Sequence, residues 1–154
     1  MIYPDFYLAQ TLGMEPHTFV KGDITIRLMR SDDFPSLVAL STMEFEPEIK
    51  LFRYVTLVAA RSGILLGYTQ FYITIDGILH SAAIRIGVEH KGLGIGAALM
   101  NVKEQIAIKA GAHLHIYAVA KNGEIALKKI LEKQGMHACQ HYPEFIIYMK
   151  DLKS

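Results

Sequence analysis

Lys91-Gly92-Leu93-Gly94-Ile95-Gly96-Ala97 sets three glycines at alternate positions between an extended apolar run and an amphipathic helical pattern. Glycines there let backbone N–H groups approach a ligand closely, and the start of a helix adds partial positive charge. The combination suits an anion, most naturally a phosphate or pyrophosphate. What precedes the loop narrows the fold further. Leu51 to Ala60, Ile64 to Ile75 and Ile78 to Val88 are rich in β-branched and aromatic residues, and Arg61-Ser62-Gly63 and Asp76-Gly77 join them. Turns that short connect antiparallel neighbours, because a parallel pair needs a crossover of about a dozen residues. The chain therefore reads as an antiparallel meander leading into a phosphate-type loop.

The flanks complete the element order. Ile24-Thr25-Ile26-Arg27-Leu28 alternates as a strand, and Pro35 suits the first turn of a helix carrying Leu37, Leu40 and Met43. An acidic loop from Glu44 to Glu48 ends that helix. Beyond the glycines, Ile95, Leu99, Val102 and Ile106 mark one helix face, with Gly111 placed to close it in a left-handed cap. His113 to Ala120 is a strand, Leu127, Ile130 and Leu131 define a second amphipathic helix closed by Gly135, and Met136 to Lys150 forms two strands around Tyr142-Pro143. Residues 1–22, broken by Pro4, Gly13, Pro16 and Gly22, read as an N-terminal extension packed on a single domain of residues 23–154.

Charge and cysteine usage exclude several classes. Sixteen basic and fifteen acidic residues leave a net charge of +1, without the basic face that duplex nucleic acid requires. Cys139 is the single cysteine among 154 residues, so neither a disulfide framework nor a thiolate zinc cluster is available. No apolar run reaches the ~20 residues of a membrane span, and MIYPDFYLAQ lacks signal-peptide character, so a cytoplasmic protein is expected. His137, Cys139 and His141 alternate and would share a strand face, as would His113 and His115. Ligands at such spacing span too much strand to converge on one tetrahedral ion, and no metal is expected.

Two nucleotide loops can be compared with the glycine segment. A Walker loop closes on Gly-Lys-Ser/Thr, which is missing here. The dinucleotide fingerprint matches Gly92, Gly94 and Ala97 by spacing, but the next strand, AHLHIYAVAKN, supplies no ribose-binding acid before Glu124. The segment instead resembles the acyl-CoA pyrophosphate motif of the GNAT superfamily of N-acetyltransferases, Gln/Arg-x-x-Gly-x-Gly/Ala, with Lys91, Gly94 and Gly96 at its positions and Leu99 following. Ile24-Thr25-Ile26-Arg27 with Asp32-Asp33, Leu66-Gly67-Tyr68 and Gly135-Met136 resemble further family segments. Short members from bacteria and their phages are the most similar.

The resemblance implies an α/β fold: a mixed, mostly antiparallel central sheet flanked by helices on both faces. It implies acetyl-CoA as co-substrate and acetyl transfer to an amine by direct attack in a ternary complex. In the family the strand before the loop splays from its neighbour. Ile86, Gly87 and Val88 would then meet the pantetheine arm, Gly87 being a plausible bulge. The amides of Lys91, Gly92, Leu93, Gly94, Ile95, Gly96 and Ala97 would hold the pyrophosphate, and Asn122 would lie near the cofactor. The acceptor would be a small-molecule or peptide amine, and a homodimer is compatible with the sequence.

Two departures stand out. The helix position where the family carries an acidic Tyr is Leu131, and its Ala position is Leu127. The strand before the loop carries no carboxylate, leaving His80 as its one ordinary base. Tyr68, Tyr72 and Tyr117 stand on strands that could wall an acceptor cleft, and Lys121, Lys128, Lys129 and Lys133 surround the last helix as a solvated face or a contact for the 3′-phosphate. These departures admit an alternative, a catalytically weak or inactive CoA-binding or protein-interaction module of the same fold.

Overall fold

The computed structural model describes residues 19–40, 54–90, 92–121 and 125–152. Its strands are β1 (Phe19–Lys21), β2 (Ile24–Leu28), β3 (Val55–Arg61), β4 (Ile64–Ile73), β5 (Ile78–Ile86), β6 (Leu114–Ala120), β7 (His137–His141) and β8 (Phe145–Asp151). They form one sheet in the order β1-β2-β3-β4-β5-β6-β8-β7. The β5–β6 pair is parallel and the other neighbouring pairs are antiparallel. This is the mixed, mostly antiparallel α/β sheet that the family resemblance implies. The two tight turns fall where expected: Ser62 and Gly63 both take positive φ, and Thr74 N–H reaches the Ile78 carbonyl at 2.9 Å around Asp76-Gly77.

Helices cover both faces. Helix α1 (Phe34–Leu40) places Leu37 against Val58, Ala60, Leu65 and Tyr68. Helix α2 (Ile95–Lys109) buries Ile95, Leu99, Val102 and Ile106 on the opposite face, against Leu57, Leu66, Phe71 and Leu79. Leu57 and Val58, adjacent on β3, thus belong to different layers, as strand alternation requires. Helix α3 (Ile125–Lys133) adds Leu131 to a cluster with Met100, Tyr117, Val119, Met136 and Tyr148. Gly111 and Gly135 close α2 and α3 as expected, with Ala112 N–H on the Ala107 carbonyl and Met136 N–H on the Leu131 carbonyl.

Several details differ from the sequence reading. Phe19–Lys21, inside the stretch read as an extension, pairs with β2 as an added edge strand. The third meander strand stops at Ile86, and Val88–His90 is a 3₁₀ turn. Cys139 is an extra residue between the pairs Ala138↔Tyr148 and Gln140↔Ile147. That bulge shifts the alternation, so His137 and His141 face opposite sides rather than one. Residues 1–18 and the acidic loop Glu44–Glu48 lie outside the described residues.

Candidate active site

The site begins where β5 and β6 part. Their parallel pairing runs from Ile78↔Leu114 to Ser81↔Tyr117, while β5 continues to Ile86 and β6 to Ala120 without pairing to each other. β5 stays bound to β4 throughout, but its register steps from Phe71↔Ser81 to Gln70↔Ala83, leaving Ala82 as the bulged residue. The bulge is therefore at Ala82 and not at Gly87. Gly87 instead donates its N–H to the Leu66 carbonyl at 2.8 Å. Alternation then turns the backbone groups of Ile84 and Ile86 the other way, into the fork. Gly67 permits the close approach of β4 at this point, because a Cβ there would lie 2.6 Å from the Arg85 carbonyl oxygen.

The fork opens towards the glycine loop. Gly92 and Gly94 have φ of 87° and 76°, a region that other residues rarely adopt. Gly94 is the N-cap of α2 and offers no side-chain acceptor. Ala98 N–H makes the first backbone bond of the helix, to the Gly94 carbonyl at 3.1 Å, so the amides of Ile95, Gly96 and Ala97 have no intrahelical partner. Ile95 anchors the turn in the core, Leu93 is exposed, and Gly96 lets α3 approach, since a Cβ there would meet Ile130 Cδ1 at 2.8 Å. Amides without intrahelical partners at the positive end of a helix dipole are donors suited to an anion. Lys91 and Asn122 lie outside the described residues.

Beneath the fork lies a polar cluster that the sequence reading missed. Ser81 Oγ is 2.7 Å from His115 Nε2, and His115 Nδ1 is 2.8 Å from Glu104 Oε2. Lys150 Nζ donates to the other Glu104 oxygen at 2.7 Å. Lys103 Nζ donates to Thr69 Oγ1 at 3.1 Å and stands over the Tyr117 ring, while Thr69 Oγ1 donates to the Ala83 carbonyl at 2.7 Å. Burial pushes the Glu104 carboxyl up, but the bonds from His115 and Lys150 outweigh it and hold the group below its ordinary range. Burial lowers His115 despite its bond to Glu104. Burial likewise lowers Lys103 to about 7, and it raises the Tyr117 phenol. A signal existed: Lys103 sits four residues after Leu99 and three before Ile106, inside the apolar stripe of α2.

Residues 25–136, well over half of the chain, match the model of the acetyltransferase (GNAT) family. The chain belongs to the acetyltransferase (GNAT) family. Its fold resembles many solved structures of the same family. Among them is the ribosomal-protein-S18-alanine N-acetyltransferase of Escherichia coli, with a TM-score of 0.72 and 15% identity over 85% of this chain and 95% of that one. The PaiA N-acetyltransferase of Thermoplasma acidophilum, solved with coenzyme A, gives a TM-score of 0.71 and 16% identity over 83% and 98%. YncA of Salmonella typhimurium, solved with acetyl-CoA, gives 0.69 and 14% over 86% and 95%. No curated protein matches the chain significantly by sequence.

Within this GNAT domain the remaining residues can be placed. His80 lies in the part of β5 still paired with β6, on the face opposite Leu79 and α2, and its ring stacks on Tyr72 with centroids 4.7 Å apart. Burial lowers its pKa, and Asp76 acts against that shift. Tyr68 and Tyr117 are buried and Tyr72 is partly exposed. Leu131 is fully enclosed, in the core under β6 and β8. Lys128 donates to the Lys121 carbonyl at 3.1 Å, and Lys121, Lys129 and Lys133 are exposed. His113 is exposed and bonds the Asp76 carbonyl, whereas His115 is wholly buried, so the two do not form a shared surface. Among the described residues no group of three or more His, Cys, Asp or Glu could hold a metal ion, and no helix is long and apolar enough to cross a membrane.

Proposed function

We propose that the chain moves an acetyl group from acetyl-CoA to an amine nitrogen by direct attack in a ternary complex. One observation carries the reading: the open fork between β5 and β6 leads directly to an uncapped glycine loop, so one ligand can engage both. The backbone groups of Ile84, Ile86 and Val88 would hold the extended arm. The amides from Lys91 to Ala97 would hold the pyrophosphate, with Asn122 and the α3 lysines near the nucleotide end. Bound there, acetyl-CoA supplies the acetyl thioester; positioning it and polarising its carbonyl with backbone N–H groups is the protein's contribution.

His80 is the base suggested by the sequence, and its lowered pKa keeps it neutral at pH 7. Sparse base equipment favours an acceptor of low pKa. A lysine amine near ~10.4 needs ~4–5 kcal/mol of deprotonation at neutral pH, an α-amine near ~8 far less. The reading therefore takes a peptide N-terminus, amino acid or amino sugar as acceptor and a cytoplasmic setting. A second reading, a CoA-binding module without turnover, is favoured by Leu131 standing where a phenol is usual.

Thermal unfolding with acetyl-CoA, CoA and NADH added separately tests the reading. A ligand at ~100 times its Kd adds ~2.7 kcal/mol, a rise of roughly 5–10 °C for this size. Stabilisation by both CoA species but not NADH, followed by thiol release with amines, is expected. No response to either CoA species refutes the reading, and stabilisation without thiol release selects the binding module. A rate still climbing steeply to pH 10 would refute the low-pKa acceptor.

A further inference from the structure

Ser81 is the last residue of β5 paired with β6, directly before the Ala82 bulge, and it is partly exposed. Its Oγ touches His115 Nε2, and His115 in turn touches Glu104. Bond directions follow from Glu104, whose ionised carboxylate can only accept. His115 Nδ1 must carry the proton it donates, so Nε2 is bare and accepts from the Ser81 hydroxyl. Lys150 occupies the other Glu104 oxygen and fixes the carboxylate against the ring. His115 is 0% exposed and cannot meet a substrate itself, which leaves the Ser81 hydroxyl as its outlet.

We propose that Ser81, His115 and Glu104 form a proton relay that takes the proton of the attacking amine at the fork and returns it to the departing thiolate. The proposal rests on the acetyltransferase reading above. The amine nitrogen bonds to the acetyl carbonyl carbon and gives a proton to Ser81 Oγ, while Ser81 passes its own proton to His115 Nε2. Glu104 stabilises the resulting imidazolium. The C–S bond then breaks, the thiolate takes a proton from Ser81 Oγ, and His115 restores that proton. Amine and thioester become amide and thiol, and His115 ends neutral. One relay thus serves as base and then acid, on a chain whose β5 lacks a carboxylate and whose position 131 is leucine. Ser81 is the catalytic residue; His115 and Glu104 are positioning residues.

The groups facing His115 support its neutral resting state. Glu104 and Lys103 approach from α2, Lys150 from β8 and Ser81 from β5. Burial holds the imidazole below its ordinary pKa, and Lys103 and Lys150 oppose its protonation while Glu104 favours it.

The test compares the full chain with Ser81→Ala, Ser81→Thr and His80→Gln. The probes are acetyl-CoA with glycinamide and acetyl-CoA with a tripeptide bearing a free N-terminus. Ser81→Ala should lower kcat by ~100-fold or more and remove the part of its low-pH fall that lies below the titration of the acceptor amine, and Ser81→Thr, which keeps the hydroxyl, should restore both. His80→Gln tests the competing base: if the relay takes the proton the low-pH limb survives there, and if His80 takes it the limb is lost. Calorimetric affinity for acetyl-CoA should be unchanged in Ser81→Ala. Imidazole ¹⁵N spectra at pH 7 should show His115 protonated at Nδ1 and bare at Nε2, with the Nε2 resonance moving in Ser81→Ala. Four results overturn the relay: an unchanged kcat and pH profile in Ser81→Ala, loss of the low-pH limb in His80→Gln, an Nε2-protonated His115, or an acetylated Ser81 trapped in turnover. With acetyl-CoA still bound by the wild type, the first three leave the acetyltransferase reading standing, whereas an acetylated Ser81 keeps acetyl transfer but replaces direct attack in a ternary complex. A wild type that neither binds acetyl-CoA nor releases thiol overturns both.

Discussion

At pH 7 the unfolded chain carries Lys103 as an ammonium in water. Folded, the same amine is fully enclosed, with Thr69 Oγ1 at 3.1 Å and the Tyr117 ring centroid at 5.5 Å. Burial outweighs the attraction of Glu104 and lowers its pKa from 10.5 to about 7. Deprotonating the group against its unfolded value costs about 4 kcal/mol at pH 7 and about 2 kcal/mol at pH 9. The sign is definite. Between the two pKa values the unfolded state binds more protons, so stability rises with pH through this window. Tyr117, with its raised pKa, pulls the other way only above about pH 10.

Lys103→Met keeps most of the volume and removes that term. It forfeits one hydrogen bond, worth about 1 kcal/mol, while Thr69 keeps its own bond to the Ala83 carbonyl. The variant should therefore be more stable by about 3 kcal/mol at pH 7, a Tm gain of roughly 10 °C, and by about 1 kcal/mol at pH 9. Urea unfolding of both proteins at pH 7, 8 and 9 reads the difference directly. A variant no more stable than wild type at pH 7, or a gap that fails to narrow by pH 9, would show that the lysine stays ionised in the fold and refute the reasoning.

Other perturbations act on the glycine loop, the fork and the core. Gly94→Ala forces a Cβ onto φ 76° and should cost about 1–2 kcal/mol, with CoA affinity at least ~10-fold weaker by calorimetry. Gly67→Ala drives a Cβ to 2.6 Å from the Arg85 carbonyl oxygen, which backbone pairing holds in place; a loss of about 1–3 kcal/mol by thermal unfolding is expected. Leu131→Tyr, which restores the usual family residue, should lower stability by a similar amount and raise kcat not at all, because Met100, Val119 and Met136 already enclose the position.

Much of this architecture is legible in the chain because its signals are local. The period-2 runs, the two short turns and the glycine closures at Gly111 and Gly135 each depend on a few adjacent residues. The bulges are not local in this sense. Ala82 and Cys139 are bulged by pairing with a neighbouring strand, and nothing in their own identity marks them. A one-residue slip reverses every later side chain, which is why His137 and His141 part although their spacing puts them on one face. The polar cluster escaped for a related reason. Ser81, Glu104 and His115 come from three elements, and only the sheet order joins them. His115 taken with His113 suggests a surface pair; taken with Glu104 it is an enclosed one.

The fork makes a demand on its ligand that the loop does not. Ile84 and Ile86 direct backbone N–H and C=O groups into a cleft where no strand pairs with them. Water satisfies those groups until something displaces it, and each left unpaired then costs about 1–3 kcal/mol. A ligand arm that fills the fork must therefore carry amides of its own, as the pantetheine of CoA does. On the proposed reading the nucleotide portion alone would meet only the loop, whose dipole and amides suit phosphate whatever is attached. Adenosine 3′-phosphate 5′-diphosphate, which is CoA without its arm, should consequently bind at least ~10-fold more weakly than CoA, the difference of about 1.4 kcal/mol being one net hydrogen bond of the arm. Titration calorimetry with the two ligands in parallel measures that difference. Equal affinities would mean that the fork takes no part in binding and that the loop is the whole of the recognition.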